Sequence, residues 1–343
     1  MLHAALAEAP SRSAPVGARY GAAASRCGLW LLVVLTLACV GSVPWALARV
    51  GTTEQGSARS RRYEAADLGM GLLPPRWWPL APDDRARIDR AAQDGRTVPT
   101  RWLGTDRLGR DVLARCLLGG AVSLVVGTAA ATIAVVIGTF YGMVAAVAGG
   151  RVDGIMMRTV DVLYGLPTIL IVVLLAVAVD GVLARVGTDL ASWQMQLLNG
   201  GTLLVAIGAV SWLTMARVIR GQVLSLRAQP FMEACRAIGV PARRQFFRHL
   251  LPNLVGPIVV YATLAVPAAI LSESFLSFLG IGIREPLPSW GNLAADGLAE
   301  LNPVRSRWWL LLWPCLLIAT TLLSLNFIGE GLRERFDPRG RRS

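Results

Sequence analysis

The sequence predicts an all-α, polytopic membrane protein with six transmembrane helices, and three observations carry that prediction. Of 343 residues, 54% are hydrophobic and only 16% charged, against roughly a quarter charged in soluble domains. The mean hydropathy is +0.52. The apolar residues form continuous charge-free runs rather than alternating ones, which disfavours a strand barrel and meets the ~20 residues a helix needs to cross the hydrocarbon core.

The runs come in order. The first, Gly28 to Ala48, follows Arg26. Ala46-Leu47-Ala48 has the small-x-small form of a signal cleavage site, yet the run exceeds the roughly 7–15 residues of a signal core, so a retained span is expected. The second lies within Leu117 to Gly149, where Gly138 and Gly142 make a GxxxG spacing that suits close helix packing. The third is Val162 to Val179, the fourth Thr202 to Ala216 with some residues on either side, the fifth Leu251 to Leu279 and the sixth Trp308 to Gly329. Pro167, Pro257, Pro267 and Pro314 are placed to kink these helices. Trp290, Trp308 and Trp309 read as an outer aromatic belt.

Arginine sets the expected orientation. With a cytoplasmic N-terminus the inner segments hold Arg12, Arg19 and Arg26, then Arg151 and Arg158, then Arg217, Arg220, Arg227, Arg236, Arg243, Arg244 and Arg248, then Arg333, Arg335, Arg339, Arg341 and Arg342. The short outer loops hold Arg185, Arg284, Arg305 and Arg307. The organisation expected is a cytoplasmic tail (1–27), a first span (28–48), an outer segment (49–115), a core of five spans with a cytoplasmic loop at 228–252 (116–331), and a second cytoplasmic tail (332–343). The outer segment carries Pro74-Pro75-Arg76-Trp77-Trp78-Pro79 and a charged stretch, Pro82 to Gln93, with Asp83 and Arg87 at helical i,i+4 spacing. A short solvated helix is expected there, on a surface that either meets an external partner or is a plain insertion.

Composition excludes several chemistries. All 34 basic residues are Arg, so no phosphate-loop lysine, Schiff base or Ser-Lys pair exists. Cys27, Cys39, Cys116, Cys235 and Cys315 show no CxxC spacing, and the histidines are His3 and His249, so no metal site, cofactor or catalytic residue is expected. The net charge of +12 is explained by the loop arginines better than by nucleic acid. An intramembrane hydrolase would need a histidine at bilayer depth, whereas His249 falls in the 228–252 loop. A stand-alone secondary transporter would show internal repeats and several polar residues at mid-membrane, where Glu273 is the sole candidate.

Three constellations stand out. Pro230 and Pro241 suit first helical turns and Gly239 suits a left-handed helix end, so 230–252 reads as two short helices around a sharp turn. In the second, Phe246, Phe247, Leu250 and Leu251 face lipid or the bundle while Arg243, Arg244 and Arg248 face water or headgroups. Asp106, Arg110 and Asp111 precede the second span, either as an outer gate or as charges capping a helix start. Glu273 lies within the fifth span, either on a translocation path or satisfied internally.

The stretch Glu233-Ala234-Cys235-Arg236-Ala237-Ile238-Gly239, followed by Arg248-His249-Leu250-Leu251-Pro252-Asn253, resembles the EAA loop of bacterial ABC-importer permeases, with Cys235 at the motif's second Ala. Leu103-Gly104-Thr105-Asp106-Arg107-Leu108-Gly109-Arg110-Asp111-Val112-Leu113-Ala114-Arg115 resembles a segment of the C-type permease of dipeptide, oligopeptide and nickel importers. The family commonly has Gly-Ala-Arg-x-Ser-Leu where this chain has Gly119-Gly120-Ala121-Val122-Ser123-Leu124, so that Arg is missing near Ala121. Weaker matches are Gly149 to Asp153, Arg217 to Arg227, Pro286 to Asn292 and Gly331 to Arg339, and the likeness runs from about Trp102 to Arg339. The resemblance implies a type I permease fold and a non-catalytic inner-membrane subunit. It would pair with a homologous second permease, two ABC ATPase subunits and an extracytoplasmic solute-binding protein, and import short peptides, nickel or another small solute by alternating access. It also implies that Glu233, Ala234, Arg236, Gly239, Arg243, Arg248 and Pro252 form the cytoplasmic EAA element that couples to the ATPases.

Overall fold

The computed structural model describes residues 16–50, 60–94, 101–186, 192–302 and 306–336. The N-terminal tail through residue 15, parts of the 49–101 stretch and the C-terminal tail from residue 337 lie outside them. Five of the described helices are long and apolar enough to cross a membrane: Ala23–Leu47, Val112–Ala148, Leu198–Arg227, Gln245–Phe278 and Trp309–Phe336. A bent pair, Gly150–Tyr164 with Thr168–Val179, makes a sixth if counted as one span.

Element labels follow the chain: α1 (Val16–Gly41), α2 (Val43–Leu47), α3 (Pro82–Gln93), α4 (Val112–Ala148), α5 (Gly150–Tyr164), α6 (Thr168–Val186), α7 (Ser192–Arg227), α8 (Pro230–Ala237), α9 (Ala242–Arg244), α10 (Leu251–Phe278), α11 (Trp290–Ala299) and α12 (Trp309–Phe336). A two-stranded antiparallel pair, Arg49–Val50 with Ser60–Arg61, follows α2 and has no counterpart in the sequence reading.

Helix α4 is the centre of the bundle, lying along α7 for much of its length and touching α1 and α10, while α12 is flanked by α1, α10 and α11. The GxxxG spacing is used at the α4–α7 crossing. A Cβ on Gly138 would stand 2.5 Å from the Met215 Cβ, and one on Gly142 would overlap the Ala216 carbonyl, so only bare backbone lets the two helices meet. The main core draws Val126, Ala130, Leu203, Ile207, Val210 and Ala269 from α4, α7 and α10. The other faces stay apolar and open: Trp30, Val34 and Leu37 on α1 and Ile169, Leu170 and Leu174 on α6 are all exposed. That pattern fits lipid rather than water as solvent.

Two expectations need correction. The run from Val162 to Val179 is not one straight span, because the chain turns by 86° between Tyr164 and Thr168. Pro167 has no amide hydrogen and pushes Leu166 out of helical geometry, so α5 ends before it. By contrast α10 runs on through Pro257 and Pro267, and α12 through Pro314. Trp290 and Trp309 do not belong to an exposed belt: they are 0% and 5% exposed. Ser289 and Asn292 close a capping box that starts α11, and Trp290 turns inward so that its indole donates to the Cys116 carbonyl at 3.0 Å. Helix α3 forms over Pro82–Gln93 as expected, where Arg87 pairs with Asp84 at 3.2 Å and also donates to the Gly69 and Gly71 carbonyls.

Candidate functional site

The 230–252 stretch builds a compact projection. Pro230 opens α8 in its first turn, where a missing donor costs nothing. The helix ends on Gly239, at φ +72°, with the Gly239 amide donating to Arg236 O and the Val240 amide to Cys235 O, each at 3.0 Å. These two bonds form a Schellman end, which only a residue at ease with positive φ closes without strain. Pro241 immediately precedes α9, which passes through a π-helical turn, Gln245–Leu250, into α10. Pro252 brings no amide hydrogen to that junction, and the Asn253 side chain donates to the His249 carbonyl at 2.7 Å.

The projection is anchored, not loose. Met232, Leu250 and Leu254 are buried against Met143 and Ala146 of α4 and Met215, Ile219 and Val223 of α7. Arg236 donates to the Arg227 carbonyl at 2.9 Å, capping α7, and Arg227 in turn donates to the Ala146 and Val147 carbonyls, capping α4. Glu233, Ala234, Arg236, Gly239, Arg243, Arg248 and Pro252 are all exposed. Two apolar residues absent from the expected site are also exposed in this stretch, Ile238 at 79% and Phe247 at 58%. An isoleucine at the last turn of a polar helix, with no core to enter, was the signal for the first.

At the other end of α4 lies the charged group. The Asp106 carboxylate accepts the amides of Leu108 and Arg110, each at 2.9 Å, and the Arg110 Nε at 2.6 Å. It also accepts Arg115 NH1. Glu285, 170 residues further on, accepts Arg110 NH2 and Arg115 NH2, both at 2.8 Å, and Asp296 of α11 lies 3.8 Å from Arg115 NH1. Arg115 is 0% exposed, so its charge rests on these carboxylates. Together these side chains line one wall of a cavity of about 230 Å³ whose other wall includes Leu293 and Leu310. Burial pushes the Glu285 carboxyl up, but Arg110 and Arg115 outweigh it and hold the group below the usual range. Burial raises Asp296. Glu285 and Asp296 carry no local sequence signal, and Arg115 stands in the sequence only as the last residue of the 103–115 motif.

Asp111 does not join this network. Its side chain accepts the Leu113 amide at 2.9 Å and caps α4. Burial pushes its carboxyl up to about 6, against the opposing pull of the Leu113 and Ala114 amides and of Arg62. A native carboxyl above its unfolded value contributes stability that is complete below about 3.8 and is lost as pH rises through about 6. Asp111→Asn keeps a good cap and should flatten that part of the profile, read as the thermal denaturation midpoint between pH 4 and pH 7. An unaltered slope would place the titration elsewhere.

Glu273 is 0% exposed. Its carboxyl takes the Ser277 hydroxyl at 2.8 Å and the Ser274 hydroxyl at 3.3 Å, with the Ser123 and Ser289 hydroxyls also bonded to it. Ser123 belongs to α4 and Ser289 caps α11, so the acid knits three helices together. Helix α4 separates the two sites: its 37 residues span ~55 Å, with the charged group at the start and the projection packed on the end.

The family described as binding-protein-dependent transport system inner membrane component matches residues 120–342. The chain is 42% identical over 263 residues to the dipeptide transport system permease protein DppC of Bacillus subtilis, covering 77% of this chain and 76% of that one. It is 46% identical over 240 residues to the oligopeptide transport system permease protein OppC of Escherichia coli, covering 70% and 73%. To the OppC protein of Haemophilus influenzae it is 44% identical over 240 residues, covering 70% and 71%.

Proposed function

The chain belongs to the family of binding-protein-dependent transport system inner membrane components, and on that premise we propose that it is the C-type permease subunit of an ATP-driven importer of di- or oligopeptides. The peptide cargo follows from the relatives, which are named as dipeptide and oligopeptide permeases. The observation that carries the mechanism is the projection at 230–252, whose exposed face is fastened through Met232 and Leu250 to the ends of α4 and α7. A body so mounted passes a push on its surface to the two longest helices of the bundle instead of absorbing it. Glu233, Ala234, Arg236, Gly239, Arg243, Arg248 and Pro252 present the face to an ATPase subunit, with Ile238 and Phe247 as apolar contacts. Movement of α4 and α7 then alternates the access of a central path formed with a homologous second permease.

The projection lies on the cytoplasmic side, with both termini, and the charged group at Asp106, Arg110 and Arg115 lies on the outer side, where a solute-binding protein delivers cargo. Loop arginines support that orientation. The charged group joins the 101–115 segment to Glu285 and Asp296, and in this reading it braces the outer mouth. Glu273 acts as a brace of the same kind, since its hydrogen bonds to serines of three helices leave it no free surface for cargo.

Vesicles provide the test. Uptake of short peptides is expected only when this chain is combined with the second permease, the ATPases and the binding protein, and only with ATP. Uptake by this chain alone, driven by an ion gradient and indifferent to ATP, would replace the subunit reading with a secondary transporter. In intact cells Cys235 should resist an impermeant maleimide added outside, and rapid labelling would reverse the orientation.

A further inference from the structure

A group of exposed tryptophans lies on the segment before α4, for which the transport reading assigns no task. Trp77, Trp78 and Trp102 are 55%, 44% and 58% exposed. They form one unit: the Trp77 indole donates to the Trp102 carbonyl at 3.2 Å, and the Trp77 and Trp78 rings meet edge to face at 6.0 Å.

Helix α12 fixes the depth of this unit. Trp78 packs edge-on against Trp308 at 5.0 Å, and Trp77 reaches Trp313 at 6.4 Å. Trp309 is the first residue of a 28-residue apolar helix, which at 1.5 Å per residue is ~42 Å long, the thickness of a bilayer with both headgroup layers. Trp313 is therefore about 6 Å inside the span, near the inner limit of one headgroup layer. Beyond Trp308 the outward face of α12 continues as Leu312, Leu316 and Leu323, all exposed and at helical spacing. The tryptophans thus stand at the top of a surface already facing the hydrocarbon.

Two guanidinium groups accompany them. Arg76 is exposed, and its amide donates to the Arg101 carbonyl at 2.9 Å. Arg101 NH1 is buried with no hydrogen-bond partner, and burial, then Arg76, hold that guanidinium below its usual value against the opposing charge of Asp84. Indole rings with one apolar and one polar side, next to an exposed guanidinium, suit the headgroup layer and suit neither water nor a dry core.

We infer that Trp77, Trp78 and Trp102 insert into the headgroup layer of the leaflet beside α12, with Arg76 directed to lipid phosphates. The described stretches that carry these rings, 60–94 and 101–107, are thereby moored to the bilayer. This mooring rests on the membrane placement of α12 and not on the identity of the cargo.

The test uses the full chain assembled with its permease and ATPase partners in phosphatidylcholine vesicles. Some vesicles carry lipids brominated just below the glycerol backbone, others lipids brominated near the chain ends. Comparing the native chain with a Trp77→Phe, Trp78→Phe, Trp102→Phe variant isolates the emission of three of the eleven tryptophans. That difference emission is expected to lose most of its intensity to the shallow bromines, less to the deep ones and little to aqueous iodide. Emission untouched by either bromolipid overturns the inference: quenching by iodide would put the rings in water, and protection from both would put them under another subunit. Should the triple variant assemble poorly, the single Trp77→Phe and Trp102→Phe differences give the same reading.

Discussion

Gly239→Pro is expected to abolish ATP-driven uptake while the chain still inserts in the membrane. Gly239 sits at φ +72°, and proline is fixed near −65°. It also removes the amide that bonds to Arg236 O at 3.0 Å, so both halves of the Schellman end are lost together. The consequence is directional rather than global, because Met232 stays buried in the α4–α7 core while the last turn of α8 and the start of α9 must take another path. The surface carrying Glu233, Arg236 and Ile238 then no longer matches what it meets. Gly239→Asn is the control: it tolerates the left-handed region and keeps its amide, so it should retain most of the uptake, with Gly239→Ala in between. Reconstituted complexes would be compared for peptide uptake and ATP hydrolysis, and recovery of the chain in alkali-extracted membranes would report insertion. Native uptake by the proline variant would remove this projection from the coupling path.

The same turn illustrates which features are legible from sequence. Gly239 between two prolines leaves few backbone options, so two helices around a sharp turn could be read directly, and the apolar runs marked the long helices because a bilayer leaves no other use for them. What escaped depended on partners distant in the chain. Nothing around Arg115 reveals that Glu285 receives its guanidinium, since the two are joined only after α4, α10 and α11 pack. Trp290 and Trp308 look alike in sequence, yet a capping box turns one inward and leaves the other half-open. Pro167, Pro257 and Pro314 are likewise indistinguishable by type. Only at Pro167 does the helix stop, after Gly165 has already weakened the turn before it.

Arg115→Met is expected to have the second large effect, this time on stability. The guanidinium has 0% exposure and shares its NH1 and NH2 between Asp106 and Glu285. Removing it leaves Arg110 to balance both of those acids, with Asp296 close by. Breaking a buried pair from one side costs about 3–5 kcal/mol, because the remaining charge has lost its compensation. Arg115→Lys should recover only part, since one ammonium cannot make two parallel bonds in a fixed plane. A variant that also carries Asp106→Asn should recover more, because it withdraws the one uncompensated charge, leaves Arg110 paired with Glu285 and keeps the oxygen that accepts the Leu108 and Arg110 amides. Acidification gives an independent check. In Arg115→Met the unpaired carboxyls are disfavoured as anions, so native stability rises as pH falls and they take up protons, whereas in the native chain Glu285 is held ionised below its usual value and loses that support in acid. The two profiles should therefore converge on acidification, as measured by the denaturation midpoint in detergent. Equal midpoints at neutral pH would mean that this buried arginine does not brace the end of α4.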